Sequence, residues 1–380
     1  MRILHTGDLH LDGAFCAYGK KDADKQRAAS RELLRRVFDC AKIERCEMIL
    51  IAGDLFDTGF VSPESARLFE KLVTENNIHV VISPGNHDFY IEGGFYSKIR
   101  ERLADKLTVF TSNELQVFDF DKLKVRVFGY AFTAMALAHS PLSDVRMPED
   151  NGYLKILCAH ADLASPISRY APITLPQINS CGFDYVALGH IHNRAEKEDE
   201  EGRIRYCGFA EGRSFDEIGQ GGVWIVDFAE DGSISCERKM LSKRAFYIDS
   251  IDLGDAFDAK TAIIAVKQRL ERFSGQEGVC LRLTLEGRAD EEAVRSIYER
   301  SDSLCLEYSI ERLEITDATL PYIDGEYLER DTTIRGELYR TLLPKLVSED
   351  SSQRALAAKA LRIGLAAIDG KSVSAEAERG

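Results

Sequence analysis

The sequence predicts an α/β fold: two stacked mixed sheets flanked by helices, then a small α+β domain and C-terminal helices. Three observations carry this. Short β-branched runs alternate with amphipathic stretches over roughly the first 240 residues, the rhythm of a sheet covered on its faces by helices. From about residue 107 such runs follow one another closely, which supplies a second sheet. A fresh alternation of strand and helix begins near Ala245.

Taken in order, RILHT, EMILIAG and HVVIS read as buried strands, with helices over 24–45 and 62–76 between them. Ser62-Pro63-Glu64 marks the start of the second helix: a hydroxyl able to accept from a free backbone N–H, then a proline whose missing N–H costs nothing there. LTVF, LQVFDF, LKVRVFGY, YLKILCAH, FDYVALGH, IRYCG and GGVWIVDF are the later strands of this region. The second rhythm runs strand FYIDSI, helix 259–273, strand VCLRLTL, helix 289–300 and strand CLEYSIERLEI. Beyond Tyr327 the chain is polar and helix-rich. There ALAAKALRIGLAAI at 355–368 reads as a helix that either binds a partner or closes the core, and the tail SVSAEAERG as disordered. The expected domain boundaries are 1–243, 244–326 and 327–380.

Composition narrows the class. With 380 residues, 44% hydrophobic and 29% charged, the chain is an ordinary globular one of two domains or more. No apolar run approaches the ~18 residues that span a membrane. Asp8 arrives before a signal-like stretch can form, so the expected location is cytoplasmic, with no membrane partner. Nine cysteines, an odd number without a Cys-x-x-Cys pair, predict reduced thiols rather than a disulfide framework or a zinc knuckle. A net charge of −14 argues against a protein coated in nucleic acid, yet residues 20–45 carry nine basic and five acidic side chains, whereas residues 286–350 carry eight basic and seventeen acidic.

The chemistry lies in the loops after the strands. Asp8-x-His10 comes after RILHT, Gly53-Asp54-x-x-Asp57 after MILIA, and Gly85-Asn86-His87-Asp88 after VVISP. His160 ends LKILCA, and Gly189-His190-x-His192 comes after YVAL. Loops at the carboxyl ends of parallel strands converge on one crevice, so five strand ends can deliver ligands to a single point. Five of the eight histidines fall in these loops, and His5, His79 and His139 do not. A cluster of Asp, His and Asn without thiolate suits two divalent cations, Mn²⁺ foremost, with Fe²⁺, Zn²⁺ or Mg²⁺ as competitors. Two such ions sharing a carboxylate promote in-line displacement at phosphorus. Glycines 53, 85 and 189 are read as turning the backbone sharply into the site.

The ordered set resembles the calcineurin-like metallophosphoesterase superfamily, whose fold is a four-layer α/β sandwich. GDLHLD at 7–12, IAGDLFDTG at 51–59, PGNHD at 84–88, YVALGHIH at 185–192 and YCGFAEGRSFDEIGQGGVWIVDF at 206–228 are most similar to SbcD-type DNA repair exonucleases of the YhaO-like branch. The resemblance implies that Asp8, His10, Asp54 and His192 hold one metal, and Asp54, Asn86, His160 and His190 the other. It makes His87 the group that protonates the leaving oxygen, and Asp57 and Asp88 the carboxylates that orient imidazoles. It also implies DNA as substrate, an exonuclease with endonuclease activity allowed, a small domain that caps the site, and C-terminal helices that dock on a coiled-coil ATPase of the SbcC type, with a homodimer allowed. Cys207 departs from the usual proline of its segment, and Asp57 stands where some relatives place a histidine. The rival readings are a phosphoesterase for a small nucleotide or a phosphoprotein, and a non-catalytic scaffold of the same fold. Arg194, Arg203, Arg205 and Arg213 flank the last ligands as candidate phosphate contacts, while Phe89 and Tyr90 are candidates for base stacking and Trp224 for the core.

Overall fold

The computed structural model of the chain describes residues 1–14, 20–143, 145–163, 165, 167–193, 199, 201–256, 258–321, 325–368 and 370. Cys16, Arg194 and the tail 372–380 lie outside the described residues. Two compact units emerge, Met1–Ser242 and Lys243–Gly380.

In the first unit β1 (Arg2–Thr6) is followed by α1 (Lys20–Ile43), β2 (Met48–Ile51), α2 (Pro63–Glu75), β3 (His79–Ile82), α3 (Phe95–Arg102) and β4 (Leu107–Val109). Then come β5 (Gln116–Phe120), β6 (Val125–Gly129), β7 (Leu154–His160), α4 (Leu175–Cys181), β8 (Tyr185–Gly189), β9 (Ile204–Tyr206) and β10 (Gly219–Phe228). Strands β1 to β4 pair in parallel, and β10 adds antiparallel to β1. The second sheet runs β5-β6-β7-β8-β9, antiparallel only between β5 and β6. Both sheets are therefore mixed. Parallel neighbours need a crossover, and the amphipathic segments α1 and α2 provide it.

The period-2 alternation of the second sheet explains the stacking. Val125, Val127, Ile156, Cys158, Tyr185 and Ala187 share one core with β1, β2 and β3 and with Leu34, Phe38 and Phe69 of α1 and α2. Their neighbours Phe128, Leu157, Val186, Leu188, Ile204 and Tyr206 face the other way, onto Ile178 of α4 and Phe183. Because β2 is buried along its whole length, its sequence MILI is uninterrupted rather than alternating. At α2 the Ser62 hydroxyl accepts from Ser65 N at 3.1 Å with Pro63 at the first position, as the sequence signal requires. Trp224 is buried and donates from Nε1 to the Tyr206 carbonyl at 2.9 Å.

The second unit contains residues 245–256 of β11 (Ile234–Ala256), then α5 (Ala259–Leu270), β12 (Val279–Ala289), α6 (Glu291–Glu299), α7 (Ser301–Tyr308), β13 (Ile310–Asp317) and β14 (Leu320–Pro321). β11, β12 and β13 are parallel, and α5 and α6 pack on them through Ile263, Val266, Val294 and Ile297. The expected strand CLEYSIERLEI starts late: Cys305 to Tyr308 belong to α7, which buries Leu304 and ends at Ser309, a residue at φ 56. Helices α8 (Gly325–Arg330), α9 (Ile334–Leu346) and α10 (Ser351–Ile368) complete the unit. α10 buries Ala357, Ala358, Leu361 and Leu365 against Leu338, Tyr339 and Leu342 of α9, so this face of the Ala/Leu helix is core. The eight described cysteines are free. Among the described residues, no helix is long and apolar enough to cross a membrane.

Candidate metal centre

Five strand ends meet at one edge of the first unit. β7 and β8 are in register at their last residues, His160 opposite Gly189. The loops after β1 and β2 continue as neighbours beyond their strands: Asp8 N donates to Gly53 O at 3.0 Å, His10 N to Asp54 O at 3.0 Å and Leu11 N to Leu55 O at 2.9 Å. Holding side chains at such a point strains the chain. Asp8, His10, Asp54 and His190 all have positive φ, at 51°, 45°, 48° and 105°. Non-glycine residues pay for that conformation, and such strain gathers at functional sites.

Of the three glycines expected to turn the backbone, only Gly53 has a positive φ, at 88°. Gly85 and Gly189 are required for space instead. A Cβ at Gly85 would sit 2.2 Å from Asp54 Oδ1, and one at Gly189 would sit 1.9 Å from the Ala52 carbonyl oxygen.

The side chains form three overlapping groups: Asp8, His10 and His192; Asp8, Asp54 and His160; and His10, Asp54 and His87. Asp54 lies between two histidines, with Oδ2 3.4 Å from His160 Nε2 and 3.8 Å from His10 Nε2. Asn86 joins the second group through Oδ1, 3.0 Å from His160 Nε2. The His190 ring stands 5.1 Å from that of His160, and its backbone N–H donates to Asp8 Oδ2 at 2.9 Å. Asp8, His10, Asp54 and His160 are buried. His87 is set apart at the rim, 44% exposed, its Nδ1 3.1 Å from the Asp57 carbonyl oxygen. It can also reach His10 and Asp54 with a ring nitrogen.

The donor set fits divalent cations on its own geometry. His10 Nε2 and His192 Nε2 face each other at 3.1 Å. Each ring has its Nδ1 on a carboxylate, His10 on Asp57 at 2.9 Å and His192 on Glu217 at 2.8 Å. With both Nδ1–H groups donating, the two Nε2 atoms are turned toward one point that a single cation can occupy, a proton on His192 in the free chain or a metal ion in its place. Asp8 Oδ1 is buried without a hydrogen-bond donor. Burial resists charge on Asp8, yet the attraction of His192, 3.6 Å away, with His160 and His10 nearby, holds its carboxyl well below the usual range. Burial likewise opposes charge on His192, but bonds to Asp8 and Glu217 raise it to about 10. His190 is pushed down to about 4 by burial and by His160, which leaves its ring neutral and free to ligate.

Asp57 orients His10 as the sequence leads one to expect. Asp88 does not orient an imidazole. It accepts from Gly85 N at 2.8 Å, Asp54 N at 3.2 Å, Phe56 N at 3.2 Å and the Tyr96 hydroxyl at 2.6 Å, so its oxygens are consumed by the loop backbones that carry Asp54 and Asn86. Burial and the Asp54 charge raise its pKa. Glu217 and Tyr96 are not singled out by the sequence, and Cys207 only as a departure from proline, since no motif marks their contacts with His192, Asp88 and Asp8. Cys207 Sγ donates to Asp8 Oδ2 at 3.3 Å. The described flanking arginines are engaged within the protein: Arg203 with Asp199 and Glu201, Arg205 over the Trp224 ring at 4.5 Å, and Arg213 with Glu217. Tyr90 is buried with its hydroxyl on Glu92, which removes it as a stacking surface, while Phe89 is partly buried against the outer core.

His5 sits beneath the centre, fully buried, with Nδ1 3.0 Å from the Tyr185 hydroxyl and Nε2 3.2 Å from Leu188 O. Burial pushes its pKa down to about 3 against the pull of that carbonyl. The unfolded chain, near 6.5, takes the proton first, so stability falls as pH drops from about 6.5 toward 3. Urea unfolding of metal-free protein at pH 7 and pH 5 is expected to show wild type losing about 2 kcal/mol more than His5→Gln. Equal losses would remove His5 from the acid response.

A family model described as calcineurin-like phosphoesterase matches residues 1–194. A curated relative, the uncharacterized metallophosphoesterase YhaO of Bacillus subtilis (strain 168), is 28% identical over 306 residues, which cover 77% of this chain and 73% of the relative. A solved structure, a dimetal phosphatase from Danio rerio, aligns at 12% identity with a TM-score of 0.37, covering 63% of this chain and 96% of the other.

Proposed function

The chain belongs to the calcineurin-like phosphoesterase family, and from that premise we propose that it is a two-metal phosphodiesterase that hydrolyses DNA as the nuclease subunit of a repair complex. The observation that carries the reading is the convergence of Asp8, His10, Asp54, Asn86, His160, His190 and His192 from five strand ends, with Asp54 between His10 and His160. Asp8, His10, Asp54 and His192 would hold one ion, and Asp54, Asn86, His160 and His190 the other. When bound, two divalent ions make a water acidic and neutralise charge at the phosphorus and leaving oxygen. Mn²⁺ is the preferred candidate, given a donor set of carboxylate, imidazole and amide.

The protein's own groups supply the rest. A protonated His87 keeps its Nδ1–H on the Asp57 carbonyl and presents Nε2 at the rim as the proton donor to the leaving oxygen. Asp57 holds His10 through Nδ1, and Asp88 fixes the loop of Gly85 to His87 against that of Asp54. DNA as substrate is supported by the motif segments at 7–12, 51–59, 84–88 and 185–192, and by some 140 residues after the catalytic unit that a small-substrate esterase does not need. On the same reading, residues 244–326 cap the nuclease site and the C-terminal helices engage a coiled-coil ATPase.

The test is Mn²⁺-dependent cleavage of end-labelled linear duplex and single-stranded DNA beside bis-p-nitrophenyl phosphate. DNA cleavage by the wild type, lost in Asp54→Ala, supports the nuclease. Turnover of the small diester with intact DNA, both alone and with the ATPase subunit added, would replace it with a small-substrate phosphoesterase.

A further inference from the structure

We propose that Arg213 is a positioning residue that locks His10 and His192 onto the same metal ion, hydrogen-bonded to the carboxylate behind one ring and paired by charge with the carboxylate behind the other. The inference rests on the two-metal reading of the site. His10 and His192 come from loops after different strands, yet their Nε2 atoms meet at 3.1 Å. Each ring is backed at Nδ1 by a carboxylate, Asp57 Oδ1 at 2.9 Å and Glu217 Oε1 at 2.8 Å. Arg213 connects the two. Its Nη2 donates to Glu217 Oε1 at 2.8 Å, its Nε lies 3.2 Å from the same oxygen, and its own backbone N–H donates to Oε2 at 2.7 Å. Its Nη1 reaches toward Asp57 Oδ1 at 3.8 Å.

The chain of contacts His10, Asp57, Arg213, Glu217, His192 is therefore closed on itself at the two Nε2 atoms. Its members come from the segments after β1, β2, β8 and β9. The Glu217 side chain is 5% exposed, so a buried carboxylate without Arg213 would be left with only the imidazole N–H and one backbone amide. A guanidinium suits this place because Nη2 and Nε both reach Glu217 Oε1, at 2.8 and 3.2 Å, while Nη1 faces Asp57, a spread that an ammonium cannot match. With its fork committed in this way, Arg213 is not the phosphate contact that its position beside the ligands suggests. Its effect on the reaction passes through the two imidazoles. Partners of ligating histidines act on metal affinity by about 10- to 100-fold.

The experiment is Mn²⁺ titration of the full, metal-free chain by calorimetry and by the electron paramagnetic resonance of bound ions, for wild type, Arg213→Met, Arg213→Lys and Glu217→Gln. Wild type is expected to take two ions. Arg213→Met weakens one of them by about 10- to 100-fold and leaves the other within about 2-fold, and Arg213→Lys does not restore it. Two unchanged sites in Arg213→Met overturn the proposal, as do two sites weakened equally alongside a fall in the thermal midpoint of the metal-free protein, the mark of a merely structural role. If Arg213→Met does not fold, Glu217→Gln decides: it keeps the acceptor for His192 Nδ1 but loses the charge that holds Arg213, so selective weakening of one ion supports the clamp and two unaltered sites reject it. A wild type that binds no Mn²⁺ overturns the metal-centre reading itself, a result distinct from failure of the clamp.

Discussion

Asp54→Ala is expected to lower turnover of DNA or bis-p-nitrophenyl phosphate by at least about 10³-fold, roughly 4 kcal/mol of transition-state stabilisation, and to weaken both metal ions together. Asp54 Oδ2 is 3.4 Å from His160 Nε2 and 3.8 Å from His10 Nε2, while Oδ1 accepts the His87 N–H at 3.0 Å. Asp8, the other carboxylate near both, lies 3.6 Å from His192 Nε2 but meets His160 only at Nδ1, the nitrogen that faces the Ala52 carbonyl. Removing Asp54 takes away a shared negative charge and frees the loop that carries His87. Asp54→Asn separates these effects, because an amide oxygen still receives the His87 N–H but brings no charge. Metal content by mass spectrometry, read beside the rate, checks the outcome. A variant that keeps both ions and loses only rate would show that Asp54 is not the bridge. His87→Ala gives the complementary result: both ions retained, with turnover down by about 10²- to 10⁴-fold, as for removal of a proton donor. Loss of an ion from that variant would mark His87 as a ligand, a role its reach to His10 and Asp54 allows.

Gly53→Ala carries the largest expected effect on stability. The residue sits at φ 88°, and a Cβ there would lie 2.3 Å from His160 Nδ1, inside the contact that ring makes with the Ala52 carbonyl at 3.0 Å. A side chain in the left-handed region costs about 1–2 kcal/mol by itself. Displacing a fully buried imidazole from its acceptor adds about 1–3 kcal/mol. The sum, about 2–5 kcal/mol, corresponds to a drop of roughly 5–15 °C in the melting temperature of a unit this size. Thermal unfolding followed by circular dichroism in the presence of a chelator checks it without interference from metal. A midpoint within about 2 °C of wild type would mean that the loop absorbs the methyl by moving away from His160.

Elements whose cause is local were legible in the chain: the continuous apolar run of β2, the Ser62-Pro63 start of α2, and the alternation that gives β6 to β8 two buried faces. That the candidate ligands would meet was legible too, because each ends or comes just after a strand, and parallel strands deliver their ends to the same edge of each of the two sheets. Local signals misjudged residues 305–308, which are apolar enough for a strand but fall in α7 once Leu304 is buried.

Distances between segments were beyond the sequence. That Asp88 serves loop amides rather than an imidazole depends on where the backbones of Gly85, Asp54 and Phe56 happen to lie. That Cys207 reaches Asp8 across 199 positions, and that Arg213 spans Asp57 and Glu217, comes from the approach of loops with no sequence relation to one another. Residue types and spacing decided which groups can bind metal, because that is a property of the groups themselves. Tertiary structure alone decided which groups hold them in place, because a hydrogen bond is made at about 3 Å and the chain does not record which of its distant segments will come that close.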